Sequence, residues 1–263
     1  MTRRSLALAL VLGLLLAACS SASGSRPVVV ETDLRVETLL VSGPTGSEAS
    51  VVDAVKEPLL PKGVDVVAIP LGRFTQMWDE PGAEDAAFVF DTRNPLGELA
   101  PMLVARARRA DGEVWYEVYL PLRPNGRTAW LRARDVKLRK RDERIEVDLS
   151  KRVLRYLVDG ELVDRFEVGV GTPATPTGTG TFYVWLKVPY DNPNQAYGIM
   201  ALGLSGYSPV LTDWPSGGRM AVHGTPNAGD RGRAVSHGCV RVYNEDMEAL
   251  LHVPLGTPVI ISE

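Results

Sequence analysis

Turns constrain this chain more than anything else in it. Of 263 residues, 25 are glycine and 19 proline, and they are spread along the length without collecting into one tract. Long helices do not survive such punctuation, whereas short strands joined by tight turns accommodate it, so a mainly β fold with one or two short helices is predicted. Between the turns the apolar residues recur with period two. Ile145-Glu146-Val147-Asp148-Leu149 alternates cleanly, and residues 153–158 and 161–170 flank Asp159-Gly160, a strong two-residue hairpin signal. No internal repeat is evident.

Residues 64–139 read as a small β unit. Strand candidates lie at 64–69, 87–90, 102–107, 115–120 and 128–131, separated by Asp111-Gly112 and Asn125-Gly126. The runs Trp115-Tyr116-Glu117-Val118-Tyr119 and Ala129-Trp130-Leu131 resemble the closing strands of a bacterial SH3-like domain. Trp115 and Trp130 are expected to pack inside that barrel, the competing assignment being an aromatic ligand patch. The charged stretch 137–144 reads as a solvated boundary. A second unit follows over 145–262, with further strands at 181–188, 220–223 and 258–261. Asn244 is a plausible helix N-cap there, ahead of Glu245 and Asp246 in a short helix reaching Leu251. Residues 190–209, rich in Asn, Gly and Tyr, read as a long loop that covers or lines a cleft.

The first 18 residues have the form of an export leader. Arg3 and Arg4 precede an apolar run from Ser5 to Ala18, shorter than the ~20 residues of a membrane span. The run ends in Leu16-Ala17-Ala18-Cys19, which resembles the lipobox of bacterial lipoproteins. That resemblance implies that Cys19 is lipidated, becomes the first mature residue and anchors the chain at a bacterial membrane. The anchor lies in the outer membrane where the host has one, and otherwise on the outer face of the plasma membrane. Residues 19–63 then form a tether and a weakly structured segment. Without Arg3 and Arg4, 27 basic residues face 32 acidic ones, a balance that excludes a nucleic-acid-binding surface.

With Cys19 committed to lipid, Cys239 is the sole free thiol, in Ser236-His237-Gly238-Cys239-Val240-Arg241. A thiol attacks as thiolate, and an ordinary pKa near 8.5 leaves a few per cent ionised at neutral pH, so a nearby base is required. Two of the three histidines, His223 and His237, lie shortly upstream, each followed by glycine (Gly224 and Gly238). Glycine leaves room for a bound carbonyl and for amides that point at its oxygen. Arg241 shares the face of Cys239 if the segment is extended, and either steadies a thiolate or holds a substrate carboxylate. A buried structural cysteine and a His223–His237–Cys239 metal site are the competing assignments; the spacing lacks the close ligand pairs of a metal site. His252 reads as structural. No cofactor is called for. Spacing alone leaves open which histidine serves as base.

Residues 145–262 resemble the catalytic domain of the L,D-transpeptidases, the YkuD-like cell-wall enzymes. The resemblance rests on His223-Gly224, a spacer, and the 236–241 motif, with Thr175-Pro176-Thr177-Gly178-Thr179-Gly180-Thr181-Phe182 upstream, one Thr-Gly pair longer than the family pattern. It implies a catalytic β-sandwich with Cys239 as nucleophile, His223 as general base oriented by the Gly224 carbonyl, and an oxyanion site from the His237, Gly238 and Cys239 amides. The His237 side chain shapes the site, and Ser236 and Arg241 support it. It further implies peptidoglycan stem peptides as partners and a cysteine that carbapenems acylate. The reaction it implies is 3→3 cross-linking of tetrapeptide stems through a cysteine thioester; hydrolysis of the same bond, anchoring of a protein to peptidoglycan and non-catalytic wall binding are the alternatives, and oligomeric state is left open.

Overall fold

The computed structural model describes residues 59–213 and 215–263, all within one compact unit. The leader, Cys19 and the tether up to residue 58 lie outside the described residues. The first strands are β1 (Asp65–Pro70), β2 (Phe74–Met77), β3 (Phe88–Asp91), β4 (Met102–Ala110), β5 (Glu113–Tyr119), β6 (Thr128–Arg132) and β7 (Val136–Arg141). They make a five-stranded antiparallel sheet in the order β6-β5-β4-β1-β7 and a β2–β3 ribbon. The β4–β5 turn is Asp111-Gly112, both with positive φ (48° and 76°), as a tight hairpin needs. Trp115 and Trp130 are buried at 2% and 3% exposure, so the ligand-patch assignment gives way to packing. Trp115 meets Trp78 edge-on at 5.1 Å, and the Arg132 guanidinium lies 4.6 Å from the Trp78 ring centroid.

The second set comprises β8 (Glu143–Asp148), β9 (Val153–Val158), β10 (Glu161–Glu167), β11 (Val170–Gly171), β12 (Gly180–Pro189), β13 (Met200–Tyr207), β14 (Arg219–Thr225), β15 (Ala234–Ser236), β16 (Val240–Tyr243) and β17 (Pro258–Ser262). Eight of these form one sheet, β10-β9-β8-β17-β12-β13-β14-β16, while β11 and β15 pair separately. The β8–β17 and β14–β16 pairings are parallel. Alternation in β8 buries Ile145 and Val147, which join Leu154, Phe182, Leu202 and Val222 in the main core. This is a mainly β domain with short helices.

Three expectations change. The supposed boundary at 137–144 is strand: β7 pairs with β1 from Asp65↔Arg141 to Pro70↔Val136, and β8 opens the second sheet. Its charges are exposed along one strand, but Arg141 turns inward and donates two hydrogen bonds to the Leu255 carbonyl, at 3.1 and 2.8 Å. Of the supposed 190–209 loop, residues 200–207 are the buried strand β13. Its glycines face bulky neighbours: a Cβ on Gly206 would lie 2.2 Å from the Phe182 ring. Asn244 is the first residue of helix α1 (Asn244–Met247), whose cap is Tyr243 without a side-chain bond; a 3-10 turn, Glu248–Leu250, follows.

The two sheets share a small core of Val67, Leu103 and Tyr183, and Arg144 grips Asp65 through two hydrogen bonds of 2.8 and 2.7 Å. Trp115→Ala is expected to lower the unfolding free energy by about 3–5 kcal/mol. A denaturant titration measures this, and a loss below about 1 kcal/mol would show that the indole is not part of a cooperative core.

Candidate active site

Parallel pairing sets the site. The β14–β16 register aligns Val222 with Val240 and His223 with Arg241. Cys239, one residue before β16, therefore falls beside Ala221. The residue lines a cavity of about 300 Å3 together with Tyr190, Tyr197, Arg219, His237 and Gly238. His223 is buried at 4% exposure behind this cavity. Its ring lies edge-on to Tyr197 at 4.9 Å, and Tyr197 stacks on Tyr190 at 5.8 Å.

His223 Nδ1 lies 2.7 Å from the Gly224 carbonyl oxygen. A carbonyl only accepts, so Nδ1 carries the proton and Nε2 of the neutral ring keeps its lone pair. Burial lowers the imidazole pKa to about 4, and the Arg241 charge acts in the same direction. The Gly224 carbonyl and Asp230 pull the other way without reversing it. Burial also raises the Cys239 thiol, against the opposing influence of the Ala221 backbone amide and Arg241. Both shifts favour a neutral imidazole and a neutral thiol over the ion pair that a histidine beside a cysteine invites.

The turn carrying Cys239 is stapled by one hydroxyl. Ser236 Oγ donates to the Cys239 carbonyl and accepts from Gly238 N–H at 3.0 Å. Gly238 takes φ = 112°, a conformation closed to most side chains. Its amide is thus occupied, which removes it from the three expected oxyanion donors. Beneath the turn, the Ser236 carbonyl accepts from Thr172 N–H and Thr175 Oγ1, both at 3.1 Å. Gly178 N–H donates to Met220 Sδ at 3.2 Å. The upstream threonine-rich element is therefore the floor of the thiol turn.

Arg241 Nη1 donates to Asp230 Oδ2 at 3.1 Å, and Arg241 is not a cavity-lining residue; its charge favours the Cys239 thiolate, the first of its two expected roles. Buried Asp230 also accepts from Thr225 Oγ1 at 3.1 Å and Asn227 Nδ2 at 2.8 Å. The arginine thus ties two segments together and acts on the pair through its charge. His237 is exposed at the cavity rim, and His252 is exposed away from it. Among the described residues no group of three His, Cys, Asp or Glu side chains is placed to hold a metal ion.

Sequence reasoning missed Asn244 and Tyr197. Asn244 Oδ1 accepts from Ile199 N–H at 3.3 Å, and its Nδ2 donates to the Pro193 carbonyl at 2.9 Å, which pins the segment that lays Tyr197 on His223. A Cβ on Gly224 would lie 2.6 Å from Asn244 Oδ1, and one on Gly198 2.1 Å from the same atom. The glycine after the histidine admits this neighbour.

Residues 142–261 match the YkuD family, the L,D-transpeptidase catalytic domain. The YkuD protein of Bacillus licheniformis, itself named only as a candidate L,D-transpeptidase, is 35% identical over 120 residues. Its Bacillus subtilis (strain 168) counterpart, named in the same way, is 31% identical over 119 residues. Each alignment covers 45% of this chain, which spans 65% of the length of either relative. Among solved structures, the catalytic domain of the E. faecium L,D-transpeptidase is 28% identical and covers 46% of this chain and 97% of that one. Its TM-score of 0.34 is too low to carry an architectural argument. Residues 142–261 are thus similar to the YkuD-like L,D-transpeptidase catalytic domain.

Two outcomes are expected of the site itself. Alkylation of Cys239 by iodoacetamide should rise about tenfold per pH unit from pH 5 to 8, because only the small thiolate fraction reacts and its pKa is raised. A rate already level from pH 5 would establish an ion pair instead. Ser236→Ala should cost about 1–3 kcal/mol of stability, since Gly238 N–H loses its partner in a buried turn. Denaturation midpoints at constant m-value provide the measurement, and an unchanged midpoint would remove the staple from the account.

Proposed function

We propose that this chain is a peptidoglycan L,D-transpeptidase that forms 3→3 cross-links through a cysteine thioester. The observation that carries the reading is the neighbouring placement of His223, its Nδ1 engaged by Gly224 and its Nε2 left as acceptor, and Cys239 in an open cavity of a YkuD-like domain. As Cys239 sulfur attacks the carbonyl of the third residue of a tetrapeptide stem, His223 Nε2 takes the thiol proton. A neutral base of low basicity suits a proton that moves only as the carbon–sulfur bond forms. The imidazolium then gives that proton to the departing D-alanine amine, leaving a thioester. The amine of a second stem's diamino acid attacks the thioester, His223 takes its proton, and collapse restores the thiol.

With Gly238 N–H held by Ser236, oxyanion stabilisation falls to the His237 and Cys239 amides. Ser236 and Arg241 support the turn and the charge balance. Leu16-Ala17-Ala18-Cys19 supports lipidation at Cys19 and an extracytoplasmic, membrane-anchored location. Residues 64–139 are read as an SH3-like unit, on the strength of the Trp115 and Trp130 strands and the short antiparallel strands around them. A lipid tether of this kind keeps the enzyme beside an immobile polymer.

Incubation of the purified protein with disaccharide-tetrapeptide, with products identified by mass, tests the reading. Cross-linked dimer with release of D-alanine is expected, and Cys239→Ala should abolish it. Tripeptide monomer in place of dimer would make the protein an L,D-carboxypeptidase. Intact substrate with retained binding to wall sacculi would make it a wall-binding lipoprotein.

A further inference from the structure

The turn between β5 and β6, residues 120–127, belongs to the first sheet but reaches the second. There Arg123 spans three backbone carbonyls of the catalytic domain. Its Nη1 donates to Ser208 O at 3.1 Å, and its Nη2 to Leu211 O at 3.0 Å and Gly217 O at 2.9 Å. The guanidinium also lies 4.6 Å from the Tyr207 ring centroid. Two residues on, Asn125 pairs with the Tyr207 backbone in both directions: Nδ2 donates to Tyr207 O at 2.7 Å, and Oδ1 accepts from Tyr207 N–H at 2.9 Å. The Pro121 carbonyl accepts from Tyr207 Oη at 3.1 Å and from Arg219 Nη2 at 3.3 Å.

The stretches held this way border the reactive thiol. Ser208, Leu211, Ser216 and Gly218 line the same cavity as Cys239. Neither stretch is braced by a strand: residues 208–211 are irregular, with a bend at 209–210, and Ser216 and Gly217 take non-helical positive φ within a short 3-10 turn. Local bonds provide some order, with Ser208 Oγ accepting from Leu211 N–H at 3.1 Å and Ser208 N–H donating to Gly218 O at 2.7 Å. The three carbonyls that Arg123 joins are the acceptors left over. A planar cation with five donors fits such a cluster, and one lysine nitrogen does not.

We propose that Arg123, with Asn125, is a positioning residue for substrate: the first sheet holds one wall of the catalytic cleft in its binding shape. The first sheet is then part of the cleft, and stem-peptide binding depends on it. The dependence on stem peptide rests on the function proposed above; the wall-holding role stands independently.

The test uses the full chain and reads both. In Arg123→Ala, amides of 208–211 and 216–218 should exchange with deuterium at least about tenfold faster, while those of β14 and β16 keep their protection. KM for disaccharide-tetrapeptide should rise about tenfold or more with kcat changed by less than about threefold. Cys239 alkylation by iodoacetamide, a reagent too small to need the wall, should stay within about twofold. Arg123→Lys should recover little of the KM. Exchange unchanged in 208–211 and 216–218 overturns the proposal, and so does faster exchange with an unaltered KM. Should Arg123→Ala fail to fold, Asn125→Ala removes the two Tyr207 bonds and is judged by the same criteria. If the parent protein turns over no stem peptide, the proposed function fails, and deuterium exchange alone decides the wall-holding role.

Discussion

Four residue pairs of parallel sheet, between β14 and β16, fix where His223 and Cys239 sit relative to each other. Strands so joined cannot slip by one residue without turning every side chain to the opposite face. Val222, Val240 and Val242 are all buried at 1% exposure or less, so such a slip would expose a core that the domain cannot do without. The register is thereby locked by hydrophobic burial, and it carries His223 and Cys239 along with it. Their partnership needs no direct bond to be specified. Around this pair, the structure adds restraints that act on backbone more than on side chains: Ser236 holds the thiol turn, Thr172 and Thr175 hold Ser236, and Asn244 holds the segment above the imidazole.

Glycine makes these close approaches possible, at positions where the reason differs each time. Gly238 supplies a dihedral, whereas Gly224 supplies empty space for Asn244 and the 198–199 backbone. Gly206 leaves room for the Phe182 ring beneath a central strand. A chain so rich in turns also uses glycine where the sheet is most tightly packed.

That double use explains what the sequence discloses and what it conceals. Period-two alternation exposed β8, and Asp159-Gly160 exposed the hairpin of β9 and β10, because those signals are local. Residues 200–207 escaped notice because Gly203, Ser205 and Gly206 resemble loop chemistry, whereas Gly203 faces Leu186, Gly206 faces Phe182 and Ser205 Oγ accepts from Tyr183 N–H. The run 137–144 escaped because a strand with one exposed face can be nearly all charged, its membership set by partners far off in the chain. At the site, the Cys239 turn and the His223-Gly224 step were legible as contiguous motifs. Asn244, Tyr197 and Asp230 were not, since each acts across a distance the linear order does not encode. Arg241 was noticed for its proximity to the thiol, but buried Asp230 claims its guanidinium.

The burial that raises the Cys239 thiol also bears on its oxidation. Thiolate is the form that attacks peroxides and foreign disulfides, as it attacks carbonyls, and a sulfur that keeps its proton reacts slowly with all of them. An unpaired cysteine in an oxidising environment ordinarily invites sulfenic acid or a mixed disulfide. Here the raised pKa favours the protonated sulfur, the less reactive form. The resting chemistry of the pair is therefore also its chemical shelf life.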